Sequence, residues 1–370
     1  MQELLINGIV HTGNEVIRNA SVLVEEGRVV SLFAEQKEGM KVTDLQGKQL
    51  APGFIDIQLN GGEQYYFSQD TSAAALQDMY DSSKRYGVTH ILPCLISSPR
   101  EKILEAIEVV RSFREKNPGV LGMHLEGPFI NPVKRGAHQE KVIRRPTNAE
   151  LEEIIRYGRD VIKVITIAPE MFNDEQLDML KESGIIISAG HSDMNFEQAD
   201  ACFKKGISLV THLYNAMKQM GHREPGIVGA VFENEHVYAP VILDGAHCHY
   251  AAANIAYRLK KDKLLLLSDA AFLGRKKQSF QSELLDATLQ DGFYRNSEGN
   301  LAGAAISMAE AVYNAVHHAD IPLQEAIKMA GSRVANALGM ADRIGKIAPG
   351  YPASFVCFDE TLTTFEVMEL

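Results

Sequence analysis

From Gly53 onward the chain alternates short, almost unbroken apolar runs with segments whose apolar residues recur at helical spacing. Apolar runs of strand length suit strands buried on both faces of a parallel sheet, and the alternation is that of βαβ units. The strands expected are GFIDIQ, THILPCLI, VLGMHLE, VIKVITIAPE, IIISAGH, ISLVTH, APVILDGAH and KLLLLSDA, the number that closes a barrel. Helices are expected over Ser72 to Tyr86, Pro99 to Lys116, Asn173 to Ser183 and Asn195 to Lys205. After the last strand come a hairpin-like insertion around Thr288 to Leu301 and helices over SMAEAVYNAVHHA and PLQEAIKMAGSRVANALG.

The first fifty residues have strand and turn character only, with turns expected at Asn7-Gly8 and Glu26-Gly27. IGKIAPGYPASFVCFDETLTTFEVMEL returns to that character, so both ends are expected to build one discontinuous β module. The predicted architecture is a (β/α)8 barrel over residues 51–344, with a small β-sandwich from residues 1–50 and 345–370. No internal repeat or low-complexity tract interrupts it.

The strand ends carry the chemistry. GVLGMHLEGP ends on Glu126, IIISAGHS on His191, ISLVTHLYNA on His212 and LLLLSDA on Asp269. A barrel of parallel strands gathers its strand ends at one mouth, so these residues are expected to share a pocket. One buried histidine is more often a hydrogen-bonded core residue than a ligand. Two on neighbouring strand ends, roughly 4.8 Å apart, beside a carboxylate, reverse that expectation. Two His and one carboxylate leave positions open for water and substrate, as a catalytic metal site requires. Asp269 is then placed to take a proton from water and pass it to a departing amine. His124 faces the same side as Glu126 but one layer deeper, and is expected to support the site rather than ligate.

Composition narrows the class. The 370 residues suit a barrel of about 250 plus a minor domain. The net charge of −11 opposes a nucleic-acid or anionic-membrane surface. Cys94, Cys202, Cys248 and Cys357 show no CxxC spacing, which argues against a disulfide framework or thiolate site and for a cytoplasmic setting. MQELLINGIVHTGNEV lacks the plan of a signal peptide, and no run approaches 18 apolar residues.

PGFIDIQLNGG, GMHLEGPFINPVKRGAH, SAGHSD, THLYNAM, REPGIVGA, DGAHCH and LSDA, in this order, resemble the amidohydrolase superfamily and within it the N-acetylglucosamine-6-phosphate deacetylases. The resemblance spans nearly the whole chain. PGFID marks only the superfamily, whereas HLEGPF with KRGAH, THLYNAM and REPG is specific to the deacetylase branch. It implies the barrel with a terminal β-sandwich, and release of acetate from N-acetylglucosamine 6-phosphate in amino-sugar metabolism. Glu126, His191 and His212 would hold one divalent ion per subunit, zinc first, with iron, cobalt or manganese as alternatives. Asp269 would be the acid and base, and His138 would polarise the acetyl carbonyl.

By the same resemblance Ala137, His138, Asn215, Ala216, Asp244, Gly245, Ala246 and His247 would meet the sugar and phosphate. Leu301, Ala302 and Gly303 would close over the pocket. Arg223 would contact the phosphate, reaching the neighbouring subunit's site in a homodimer. Where the superfamily often carries His-x-His, this chain has Gln58-Leu59-Asn60, so a mononuclear site is expected. Two departures stand out: the glycine-rich run after Asn60 turns quickly to EQYYF, and the end at TFEVMEL omits a strand that the resemblance leads one to expect. Alternatives are another N-acetylated substrate, such as N-acetylgalactosamine 6-phosphate or an N-acyl amino acid, and a barrel that serves only as a binding scaffold.

Overall fold

The chain opens with strands β1 (Gln2–His11), β2 (Val16–Glu25), β3 (Arg28–Leu32), β4 (Lys41–Asp44) and β5 (Gln49–Pro52) in a computed structural model that describes residues 2–370. Strands then alternate with helices: β6 (Phe54–Leu59), α1 (Ala73–Lys84), β7 (Val88–Ile96), α2 (Arg100–Arg114), β8 (Met123–Glu126), α3 (Asn148–Gly158) and β9 (Ile162–Ile167). The alternation continues through α4 (Asp174–Glu182), β10 (Ile186–Ala189), α5 (Phe196–Lys204), β11 (Leu209–Val210), α6 (Gly226–Glu233), β12 (Ala239–Val241), α7 (Tyr250–Lys260) and β13 (Leu264–Leu266). An insertion of β14 (Ser279–Gln281), β15 (Asp286–Gln290) and β16 (Phe293–Arg295) precedes α8 (Met308–His317), α9 (Leu323–Ala330) and α10 (Ser332–Ala337). Strands β17 (Ser354–Phe358) and β18 (Phe365–Glu369) follow.

Strands β6 to β11 pair in parallel and in chain order, and β12 and β13 form a second parallel pair. The run curls as a half-barrel. At its edges Leu209 bridges Tyr238 and Leu59 bridges Ala270, both in parallel. Every residue of β6 is buried, as its mostly apolar sequence demands when helices cover one face and the interior fills the other. Helices α4 and α5 begin on capping boxes, Asn173 with Gln176 and Asn195 with Gln198, which satisfy backbone N–H groups that have no intrahelical acceptor.

Both chain ends contribute to one seven-stranded sheet, ordered β18-β17-β5-β1-β2-β3 with β4 beside β1. It has its own apolar core, including Leu5, Val10, Val22, Leu50 and Phe355. Glu26 and Gly27 turn β2 into β3 with positive φ, as expected. Asn7-Gly8 does not turn the chain. It makes a bulge inside β1, where Asn7 takes φ 58° and a Cβ on Gly8 would strike the Leu45 side chain at 2.5 Å.

Other elements depart from the pattern reading. The hairpin-like insertion is a three-stranded sheet that begins earlier, at Ser279, with Arg295 also bridging Leu301. PLQEAIKMAGSRVANALG is two helices, because Gly331 at φ −136° and ψ −94° breaks it. Helices α3, α6 and α7 carry no expectation from periodicity. The four cysteines are free. Among the described residues no helix is long and apolar enough to cross a membrane.

Candidate metal centre and active site

Glu126 is the last residue of β8, and His191 and His212 lie two residues beyond β10 and β11, which pair Ser188 with Leu209. Both imidazoles aim Nε2 at the same oxygen, Glu126 Oε1, each from 3.1 Å. The three donor atoms lie within 4.8 Å of one another and all three residues are buried. The donor set suits a divalent ion. The backbone carbonyl of Lys134 accepts from His191 Nδ1 at 2.9 Å, which fixes the tautomer that leaves the Nε2 lone pair for a cation.

Burial would raise the Glu126 pKa, but hydrogen bonds from His191 and His212 hold it well below the usual range. Burial would lower His212, but its bond to Glu126 leaves it raised. A cation bound there would replace the His212 proton as the counter-charge of Glu126. The second oxygen, Oε2, lies 3.6 Å from the Cys94 thiol and 3.9 Å from His138 Nε2.

His191, His212 and Asp269 all take positive φ, at 48°, 30° and 50°. Non-glycine residues in that region cost about 1 to 3 kcal/mol each and cluster at functional sites. Here the turn directly after each strand brings its side chain back across the mouth.

Asp269 is held between the ends of β6 and β13. Gln58 and Asn60 donate their side-chain amides to Asp269 Oδ1, at 3.0 and 2.7 Å. Its backbone N–H donates to the Gln58 carbonyl at 2.9 Å. Burial first, then the charge of Glu126, pushes its carboxyl from 3.8 up to about 6. Below it, Asp56 accepts from the Ser268 hydroxyl at 2.5 Å and from the backbone N–H groups of Ser268 and Gln58.

His138 stacks obliquely on His191, with ring centroids 4.6 Å apart. Its Nδ1 meets the Ser97 hydroxyl at 2.7 Å and the Ser97 backbone N–H at 3.4 Å. Burial, then the field of His191, lowers its pKa to about 3, so the ring is neutral. His124 is engaged on both nitrogens, by the Ile57 carbonyl at 2.8 Å and Thr166 Oγ1 at 2.7 Å, which leaves it no lone pair for a cation.

A cavity of about 220 Å³ opens over these groups. Of the sequence candidates it is lined by Glu126, Ala137, His138, His191, His212, Asn215, Ala216, His247, Asp269, Leu301, Ala302 and Gly303. Asp244 sits behind the wall. Its carboxylate accepts the backbone N–H of Ala246 and His247 and the His247 ring at 2.7 Å, so Asp244, Gly245 and Ala246 form the turn that presents His247. Arg223 is exposed, lines none of this cavity and makes no ion pair among the described residues.

Asn60 and Gly136 also line it, and the wall is completed by Tyr66, Ile96, Ile242, Leu285 and Asn300, which the sequence does not single out. EQYYF does carry a signal, since Tyr66 comes from the segment that departs from the expected glycine-rich run. No Lys or Arg lines the cavity.

A parallel-strand half-barrel with carboxylate and imidazole donors at its strand ends is the frame of a metal-dependent hydrolase. Residues 50–369 match the model of the amidohydrolase family, and the chain belongs to that family. It is 36% identical over 366 residues to the N-acetylglucosamine-6-phosphate deacetylase of Haemophilus influenzae, covering 97% of this chain and 95% of that relative. It is 35% identical over 315 residues to the N-acetylgalactosamine-6-phosphate deacetylase of Shewanella sp., covering 84% and 79%. The crystal structure of N-acetylglucosamine-6-phosphate deacetylase from Pasteurella multocida superposes with a TM-score of 0.94 at 32% identity, covering 99% of this chain and 97% of that one.

Proposed function

We propose that this chain hydrolyses the N-acetyl amide of N-acetylglucosamine 6-phosphate, releasing acetate and leaving glucosamine 6-phosphate, in amino-sugar catabolism or recycling. The observation that carries the reading is the convergence of Glu126, His191 and His212 beside Asp269, in a chain whose relatives over nearly its whole length bear that name.

Glu126, His191 and His212 would hold one divalent ion, zinc being the first expectation. Bound there, such an ion polarises the amide carbonyl and makes water nucleophilic at neutral pH. Asp269 accepts the proton of the attacking water and returns it to the leaving amine. Its Oδ2, which has no hydrogen-bond partner among the described residues, is the oxygen free to do so. His138 presents Nε2–H to the acetyl oxygen as negative charge develops there.

Ala137, Asn215, Ala216, His247 and the Leu301, Ala302 and Gly303 segment would hold the sugar phosphate, with Asp244, Gly245 and Ala246 supporting His247. A phosphate in a cavity without Lys or Arg needs a cation from elsewhere. Exposed Arg223 of a second copy meets that need, which supports a homodimer. We further read the parallel strands as a closed eight-stranded barrel over residues 51–344, on the Leu209–Tyr238 and Leu59–Ala270 bridges. Residues 1–50 and 345–370 then form a small sandwich, and the protein would work in the cytoplasm.

The Shewanella relative favours one second reading, the galactosamine epimer as substrate. Acetate release by the metal-loaded protein from each 6-phosphorylated N-acetylhexosamine decides it. Faster turnover of the glucosamine epimer is expected; preference for the other epimer overturns the substrate, and release from neither overturns the reading.

A further inference from the structure

Gln58 and Asn60 stand where imidazoles would be cation donors, yet each turns its NH2 group toward Asp269 rather than toward the Glu126, His191 and His212 cluster. Both amides reach the same oxygen, Oδ1. Their own carbonyl oxygens, Gln58 Oε1 and Asn60 Oδ1, are buried with no hydrogen-bond partner. An unpartnered buried carbonyl is costly, and a flip would only aim it at a carboxylate. The orientation is therefore dictated by Asp269, at a cost to the fold.

The backbone makes the same connection. Asp269 N–H donates to the Gln58 carbonyl, and the N–H groups of Asn60 and Gly61 donate to the Ala270 carbonyl at 3.0 and 3.1 Å. Gln58 and Asn60, on one rigid strand end, thus meet a residue more than 200 positions later from both main chain and side chain. An amide nitrogen neither protonates near neutrality nor offers a lone pair to a cation. It donates at every working pH, and imidazole does not.

We propose that Gln58 and Asn60 are positioning residues for Asp269: they take up Oδ1 and so commit Oδ2 alone to proton transfer. This rests on the reading of Asp269 as the acid and base. With one oxygen fixed by two donors, the carboxylate keeps one rotamer and points its free oxygen at the place where water attacks.

Near-isosteric apolar replacements, Gln58→Met and Asn60→Leu, remove each donor together with its unpartnered oxygen. Each is expected to lower kcat roughly 10- to 100-fold, Asn60→Leu more because its contact is shorter. KM should stay within about threefold for Gln58→Met, because Gln58 lies outside the cavity that Asn60 helps to line. Metal content should match the wild type, and melting temperatures should not fall. In an Asp269→Asn background the same replacements should cost almost nothing further, because their effect passes through Asp269.

A loss that persists in the Asp269→Asn background, or unchanged kcat in both single variants, overturns the positioning role. Loss of metal in both variants would make them part of the metal site and overturns it too. If one variant fails to fold, the other carries the test. The wild type serves as the control for the functional reading: if it releases no acetate from a phosphorylated N-acetylhexosamine, that reading fails, and the inference falls with it.

Discussion

The Ser97 backbone N–H points at His138 Nδ1 from 3.4 Å, beside the Ser97 hydroxyl at 2.7 Å. A backbone amide only donates, so Nδ1 is the acceptor and the ring proton sits on Nε2, on the side of Glu126 and the cavity. A neutral imidazole with that tautomer donates to a developing oxyanion without itself losing a proton.

Replacing His138 by Ala should therefore lower kcat about 10²- to 10³-fold, the cost of one oxyanion donor. Metal content should be unchanged. Ser97→Ala should cost less, because the backbone donor survives. Stopped-flow or steady-state rates within threefold of wild type for His138→Ala would remove His138 from the reaction.

Asp269→Asn should keep the ion and lose roughly 10²- to 10⁴-fold in turnover, about 3 to 5 kcal/mol of barrier. Near-normal turnover in that variant would transfer the proton to another group.

Elemental analysis after dialysis should find about one tightly held ion per chain, since Gln58 and Asn60 face Asp269. A chelator should abolish activity and the same metal should restore it. Affinity should fall on acidification, because protons compete with the ion for His212, which its bond to Glu126 raises above the ordinary histidine value of 6.5. Two tightly held ions, or affinity independent of pH, would contradict the site.

Arg223→Ala should lower kcat/KM for the phosphorylated sugar roughly 10- to 150-fold, the worth of a hydrogen bond to a charged group. The unphosphorylated sugar should be affected little. In mixed dimers of Asp269→Asn and Arg223→Ala chains, one of the two sites combines an intact Asp269 with an intact partner arginine, so activity should return. Equal losses on both substrates argue against phosphate contact; inactive verified hybrids argue against sharing across the dimer.

Asp56 gives a pH signature in stability. Burial, opposed by hydrogen bonds from Ser268 and Gln58, raises its carboxyl from 3.8 to about 6. The folded chain then binds the proton more tightly than the unfolded one, so this contribution is full below 3.8 and is lost as pH rises through 6. At about 1.4 kcal/mol per pH unit the difference is up to about 3 kcal/mol. Asp56→Asn removes it, so urea midpoints of the variant relative to wild type should rise between pH 4 and pH 7. Parallel stability profiles would show that Asp56 is already ionised in the fold.

Glu126, His191, His212 and Asp269 are legible in the sequence because each follows an apolar run, and parallel strands deliver their ends to one place. The residues that aim them are less so. Ser97 and Tyr66 lie on loops and Lys134 ends a single 3-10 turn, Pro132–Lys134, where no period constrains which group turns inward. Gln58 and Asn60 attract notice only as absent imidazoles, although their partner, Asp269, is named by the same reading. Among helices, α6 is missed because GIVGAVFE is apolar on nearly every face, which leaves no polar side to mark the turn of a helix. Helix α7 is missed because its alanines blur the contrast, and it exposes Ile255 and Leu259. Asn7-Gly8 shows the converse: a strong turn signal is absorbed as a bulge when both flanking segments pair with one partner strand.

Strand β5 lies between β1 and β17, with Pro52 opposite Phe355. During synthesis its outer edge must wait for about 300 further residues, some 15 to 60 s at bacterial to eukaryotic speeds. Through that interval a nascent chain carries a strand of buried type, QLAP, paired with β1 on one edge and open on the other, leading directly into β6 and the first loop of the site. An edge left open that long is a template for pairing with other chains, so slowing translation should cost yield before any change in the finished fold costs activity.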